Sequence, residues 1–153
     1  GVQTCALPIS GLGEPTLRFD TVLAITRWLK SQNIRVRLDT NGQAALINPR
    51  RDVISELKSA GIDSISVSLN AESEEKYNKL CRPVHKNAYG AVLDFIRGAK
   101  QAGINTRVTV VEVSEIDIEE CRKLAKELDV DFHVRALSKA ASKDLKTARD
   151  PDI

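Results

Sequence analysis

The sequence predicts an α/β fold in which parallel strands alternate with helices. Three observations carry the prediction. From Thr16 onward the hydrophobic residues switch repeatedly between the helical period and the two-residue period of strands. The stretches joining successive strand segments are helical and of about a dozen residues or more, which makes them βαβ crossovers with parallel strands and right-handed connections. A length of 153 residues, with 42% hydrophobic and 29% charged residues, suits one soluble domain with its own core.

The elements follow in order. Residues 20–32 (DTVLAITRWLKSQ) place Val22, Ile25, Trp28 and Leu29 at helical spacing, and residues 34–39 (IRVRLD) alternate apolar and charged side chains as a strand does. The run NPRRDVISELKSAG predicts a helix with Asn48 as N-cap, Pro49 in the first turn and Gly61 past the end. Residues 64–69 (SISVSL) form a second strand. The short helix 73–80 carries acids in its first turn, where the helix dipole favours them, and ends before Arg82-Pro83. A longer helix spans about 88–102, with Val92, Phe95, Ile96 and Ala99 on one face and Gly103 as its stop. Residues 106–113 make a third strand, Asp117 and Glu120 a capping-box-like start to a helix reaching Leu128, and residues 131–137 a fourth strand. The polar stretch 138–153 reads as a tail. Four such repeats cannot close an eight-stranded barrel, so an open doubly wound sheet and part of a barrel both fit.

Composition excludes more than it identifies. Twenty-three Lys and Arg against 21 acids give a net charge of +2, which supports no nucleic-acid reading. No apolar run approaches the ~18 residues of a membrane span. Cys5, Cys81 and Cys121 are odd in number and far apart, so a disulfide framework is not expected and a cytoplasmic setting is. Cys121 reads as a small apolar residue on a helix face.

In either parallel architecture ligands bind at the carboxyl ends of the strands. Three segments of small or hydrogen-bonding residues gather there: Gly11-Leu12-Gly13-Glu14-Pro15-Thr16, then Thr40-Asn41-Gly42, then Asn70-Ala71 with Ser68 just before. Each alone is ordinary turn chemistry; their strength is a shared rim. Glycines let backbone approach a ligand, Glu14 offers an acceptor for a cation, and Ser68 and Asn70 can bind hydroxyls or a carboxylate. That equipment suits a zwitterionic, ribose-bearing ligand. It does not make a phosphate loop, and the acidic stretch 111–117 argues against a phosphate-binding barrel. Arg82, His85 and His133 could each touch a substrate, but a solvated face or a core contact explains them as well.

Gly13-Glu14-Pro15-Thr16 before a helix, a strand ending Asp39-Thr40-Asn41-Gly42, SISVSLNA at 64–71, KYNKLCRP at 76–83 and AVLDFIRGAKQAGI at 91–104 together resemble the core of a radical S-adenosylmethionine enzyme. The resemblance spans about 11–137. It is similar in style to short radical S-adenosylmethionine proteins associated with TatD-type hydrolases and to pyruvate formate-lyase activating enzymes. It implies a fragment of a partial (β/α)6 TIM-like barrel. It also implies S-adenosylmethionine and a [4Fe-4S] cluster as cofactors, a reductant for the cluster, and release of a 5'-deoxyadenosyl radical onto a substrate that the sequence does not identify. By position, Gly13, Glu14, Pro15 and Thr16 would hold the methionine amino group, Ser68 and Asn70 would face ribose or carboxylate, and Asn41 would share the rim. The family's cluster motif, CxxxCxxC, has no match in this chain, so the chain is expected to bind no cluster and to be inactive by itself. A functional link to a TatD-type hydrolase, and no membrane or nucleic-acid partner, complete the expectation.

Residues 1–9 (GVQTCALPI) resemble the translation of a short-read sequencing adapter. The expected organisation is therefore an extraneous segment at 1–10, a truncated core at 11–137 and a tail at 138–153. The strand at 34–39 would lack a neighbour and present an open edge. Should the first residues lie along that edge, Pro8 would interrupt the pairing. The alternative function is a cluster-less α/β binding module for a nucleotide-like ligand or a protein partner, favoured by ligand binding that needs no iron.

Overall fold

The computed structural model describes residues 6–10 and 13–136; residues 1–5 (Cys5 among them), Gly11, Leu12 and the stretch 137–153 lie outside them. The described elements are β1 (Leu7–Ile9), a 3-10 turn (Pro15–Arg18), α1 (Phe19–Ser31), β2 (Val36–Thr40), α2 (Ala44–Ile47), α3 (Val53–Ala60), β3 (Ser64–Ser68), α4 (Glu74–Cys81), α5 (Ala88–Gln101), β4 (Asn105–Val111), α6 (Ile118–Glu127) and β5 (Asp131–Arg135). The strands form one sheet in the order β1-β2-β3-β4-β5, parallel throughout. This is the α/β architecture of a partial TIM-like barrel. No helix among the described residues is long and apolar enough to cross a membrane.

Strand side chains alternate between faces, and the register aligns the alternation from strand to strand. Val36, Leu38, Ile65, Val67, Val108 and Val110 share one face and are fully buried. Helices α1, α5 and α6 pack on that sheet, bringing Leu23, Val92, Ile96 and Cys121 into the same core. Arg37, Asp39, Ser66, Ser68, Arg107, Thr109, Asp131, His133 and Arg135 take the opposite register positions, so the face turned away from the helices is polar.

Several elements differ from the sequence reading, each for a local reason. The helix expected from Asn48 begins at Val53, because Asp52 is the better cap: its carboxylate accepts from the Ser55 N–H at 3.1 Å. Asn48 instead closes α2, its Nδ2 donating to Ala44 O at 3.1 Å and to Thr16 O at 3.0 Å. On α1, Val22 and Leu29 are buried, whereas Ile25 and Trp28 face outward with 40% and 62% exposure; Phe19, Leu23 and Thr26 complete the packed face instead. Asp117 caps α6 by accepting from the Glu119 and Glu120 N–H groups, but the Glu120 carboxylate turns to Lys123, so the reciprocal half of the capping box is not made.

The edge of β2 is not bare. β1 lies along it with Leu7, Pro8 and Ile9 opposite Val36, Arg37 and Leu38, and the Leu7 N–H donates to Arg35 O at 2.8 Å. Pro8 does not interrupt the pairing. Alternate residues of a strand turn their N–H groups to opposite sides, so Leu7 faces β2 and the Pro8 nitrogen faces away, where no donor is required.

Asp63, between α3 and β3, ties three elements together. Its carboxylate accepts from Lys30 Nζ of α1 at 2.8 and 2.9 Å and from the Val36 N–H of β2 at 2.7 Å. Burial opposes the charge, but Lys30 and the Val36 N–H outweigh it and hold the carboxyl below its ordinary value. A depressed carboxylate contributes stability above its unfolded pKa of about 3.9 and loses it as the pH falls through the folded value. Chemical denaturation of Asp63→Asn beside the parent chain should therefore show a deficit at pH 7 that shrinks below about pH 4; an unchanged deficit across that range would contradict the assignment.

Candidate functional site

The carboxyl ends of the strands meet around the Glu14 side chain. Glu14 caps the 3-10 turn, its Oε1 accepting from the Thr16 N–H at 3.0 Å and from Thr16 Oγ1 at 2.6 Å. The same oxygen accepts from Thr40 Oγ1 at 2.7 Å, and Oε2 accepts from the Asn41 N–H at 2.6 Å. Thr16 and Thr40 are buried, so these are charge-assisted bonds sheltered from water. One carboxylate thus clasps the 13–16 segment to the end of β2. The network continues outward: Thr40 Oγ1 accepts from the Gly42 N–H at 3.2 Å, Asn41 Oδ1 from the Gln43 N–H at 2.9 Å, and Gln43 Nε2 donates to the Tyr77 hydroxyl at 3.0 Å.

Two glycines answer to this geometry. Gly42 has φ of 78°, and a Cβ there would lie 2.9 Å from Val67 Cγ1 and 3.2 Å from Val92 Cγ1, so the turn passes too close to the core for a side chain. Gly13 has φ of 121° and nothing within 4 Å of a would-be Cβ. Its backbone therefore borders open space.

That space is a cavity of about 500 Å³ lined by Ser10, Gly13, Glu14, Asp39, Thr40, Asn41, Ser68 and Arg135. Of the residues singled out in the sequence, Gly13, Glu14, Asn41 and Ser68 come together in its wall. Pro15 opens the 3-10 turn and Thr16 is buried behind Glu14, so neither lines the cavity. Asn70 stands just beyond β3 in the left-handed conformation, with φ of 61°. It does not cap α4; Ser73 does, accepting from the Lys76 N–H. Asn70 Nδ2 lies 3.8 Å from Cys81 Sγ, and Asn70 Oδ1 is buried with no hydrogen-bond partner among the described residues. Sequence reading did not single out Asp39 or Arg135. The signal was present as charged residues at alternate positions of IRVRLD and DFHVR, which a strand covered on both faces by apolar packing would not carry.

The remaining single residues are placed apart. His133 is exposed on the polar face of β5. Arg82 ends α4 with φ of 44°, and with His85 it lines a separate depression beside Asn78, Pro83 and Lys86.

The described cysteines do not make a cluster site. Cys81 is half-buried at the end of α4, and burial raises its thiol while the Asn70 amide lowers it, leaving it above its ordinary value. Cys121 is fully buried with its Sγ 3.9 Å from Glu72 Oε2; burial first, then the Glu72 and Asp117 charges, push it up to about 12. Cluster ligands are thiolates, and Cys121 is held as a thiol. Among the described residues no three His, Cys, Asp or Glu side chains are grouped to hold a metal ion. An iron–sulfur cluster therefore does not fit the residues described.

The fold and site define a class: a partial parallel barrel with a polar-lined cavity at the carboxyl ends of its strands. The sequence matches the Radical SAM superfamily over residues 8–128, and the chain belongs to that superfamily. An uncharacterized protein of Methanocaldococcus jannaschii is 36% identical over 121 residues, covering 79% of this chain and 40% of that protein. A second protein of that organism, named as a candidate glycyl-radical enzyme activating enzyme, is 33% identical over 132 residues, covering 82% of this chain and 52% of its own length. A candidate GTP 3',8-cyclase of Saccharolobus islandicus is 39% identical over 93 residues, 60% of this chain and 27% of the cyclase. The chain thus spans about half or less of the length of these relatives.

Replacing Glu14 by Ala removes the acceptor for four donors at once. With each bond to a charged group worth roughly 1.5–3 kcal/mol and partial relief by water, a loss of about 2–4 kcal/mol of stability is expected. Hydrogen exchange should show it locally, as faster exchange of the Asn41 amide, while the Val108 amide in the sheet centre keeps its relative protection. Unchanged protection at Asn41 would show that the clasp is not what orders the end of β2.

Proposed function

We propose that the chain supplies the S-adenosylmethionine-holding rim of a radical S-adenosylmethionine enzyme. In such an enzyme a [4Fe-4S] cluster supplies the electron that cleaves the sulfonium and yields a 5'-deoxyadenosyl radical. The observation that carries the reading is the shared cavity wall of Gly13, Glu14, Asn41 and Ser68 at the carboxyl ends of the strands. The Glu14 carboxylate is committed to donors of this chain, so it acts by fixing the 13–16 backbone, whose carbonyls are the acceptors suited to an ammonium group. The Asn41 amide and Ser68 hydroxyl offer neutral donors and acceptors to a ribose, and Asn70 Oδ1, two residues beyond Ser68, has no donor among the described residues. The reading includes no cluster ligand from the described residues.

Titration with S-adenosylmethionine in the absence of iron, followed by amide NMR, tests the reading on this chain. Saturable shifts are expected at Gly13, Asn41, Ser68 and Asn70, with weak affinity because the cluster contributes nothing. Gly13→Val should weaken binding about tenfold, the effect of roughly 1–3 kcal/mol of strain at a φ that side chains rarely adopt. Absence of saturable shifts at these residues would sink the proposal. Tight iron-free binding shared equally by simple adenine nucleotides would favour the cluster-less binding module instead.

A further inference from the structure

The loop between α4 and α5 carries cations that the fold itself leaves unused. Between Glu75 and Asp94 the sequence holds no acid, while Lys76, Lys79, Arg82, His85 and Lys86 fall in that interval. Lys76 is paired with Glu72, and Lys79 sits in the last turn of α4, where the helix dipole favours a cation. Arg82, His85 and Lys86 lie beyond that helix. Among the described residues their side chains have no hydrogen bond, ion pair or ring contact. All three nevertheless border one depression of about 380 Å³, with Asn78 and Pro83 completing its described lining and no carboxylate in it.

Arg82 is the residue whose placement needs a reason. Its φ of 44° is left-handed, a conformation that suits glycine at a helix end and is unfavourable for a residue with a Cβ. The turn alone would be better served by glycine, and the guanidinium has no partner within the described chain. Strained backbone beneath an otherwise unused side chain points to a role outside the chain. Val84 adds a second observation: two residues on, it is 94% exposed, so folding leaves an aliphatic side chain in water among the cations. The loop also lies beside the rim. Cys81, immediately before Arg82, has its Sγ 3.8 Å from Asn70 Nδ2, and the Tyr77 hydroxyl one turn earlier accepts from Gln43.

The two observations together select the partner. A small inorganic anion would use the cations and leave Val84 bare. A single-stranded nucleic acid would add stacking on exposed rings, and the neighbouring Tyr77 and Tyr89 are buried. A lipid surface needs a broader apolar face than one valine. An acidic protein segment bearing an aliphatic residue answers both features. We propose that the 82–86 loop docks such a segment of another protein beside the rim. Its carboxylates enter the depression, where the Arg82 fork suits their paired oxygens and His85 and Lys86 add charge, and its aliphatic side chain covers Val84. Docking here does not depend on whether the rim holds S-adenosylmethionine.

Amide NMR of the full chain, titrated with a short peptide of glutamates around a central leucine, reads the docking directly. Saturable shifts are expected at Val84, His85 and Lys86, and none with the same peptide carrying glutamine in place of glutamate. Arg82→Gly is the decisive variant, because strain and charge act in opposite directions there. Its thermal midpoint should rise as the left-handed backbone is relieved, while peptide affinity falls about tenfold. Lys86→Gln and Val84→Ser, both at exposed positions, should each weaken binding severalfold with the midpoint unchanged. No saturable shift, an affinity unchanged in Arg82→Gly, or affinities unchanged in both other variants overturns the proposal. Equal binding of the glutamine peptide overturns it as well. Inorganic phosphate, a single-stranded oligonucleotide or phosphatidylserine vesicles that bind the same residues more tightly than the peptide would name a different partner and overturn it too.

Discussion

The Glu14 carboxylate is the interaction on which the rim depends. A turn and a strand end that are 26 residues apart in sequence meet on one pair of oxygens. Without them the Thr40 hydroxyl and the Asn41 N–H would need other partners, and the turn at Gly42 would lose its tie to the 13–16 segment. The clasp also explains why the segment needs glycine before the acid and proline after it. Gly13 supplies a φ of 121°, and Pro15 begins the 3-10 turn where its missing N–H costs nothing. An acidic residue that a sequence reading offers as a ligand for a cation is, in the fold, first a bracket for the backbone.

A second constraint is the two-residue period of the strands. Because the register keeps every strand in phase, one face collects Val36, Leu38, Ile65, Val67, Val108 and Val110 and the other collects Arg37, Asp39, Ser66, Arg107 and Arg135. Burial of the first set under the helices stabilises the sheet; the second set is what an interior lumen or a ligand would meet. A slip of one residue in β2, β4 or β5 would place an arginine against the helices, so the charged pattern also fixes the register.

Much of this was readable before the structure. The strands expected at 64–69 and 106–113 and found at 64–68 and 105–111, the helix expected at about 88–102 and found at 88–101, and the meeting of Gly13 and Glu14 with Asn41 and Ser68 follow from periodicity, caps and the rule that ligands bind at carboxyl ends. What escaped was decided by competition between equally plausible local signals. Asn48-Pro49 and Asp52 both announce a helix start, and Asp52 prevails because its carboxylate reaches the Ser55 N–H while Asn48 is engaged by Thr16. Ile25 and Trp28 fit a helical stripe, yet the stripe through Phe19, Val22, Leu23, Thr26 and Leu29 is the one that faces the sheet. Arg107 and Arg135 were hidden because a charged residue in a strand says which face is polar only once the register with its neighbours is known.

The outward position of Trp28 has a practical side. It is the sole tryptophan of the sequence, and its indole is already largely hydrated in the folded chain. Its emission will sit near that of free indole in water before any denaturant is added, so fluorescence excited at the indole band is a poor witness to unfolding. Tyr77 and Tyr89 are the informative chromophores. Their rings lie buried with centroids 5.4 Å apart at the junction of α4 and α5, and near-ultraviolet dichroism will register the loss of that fixed pairing while the tryptophan signal stays nearly still.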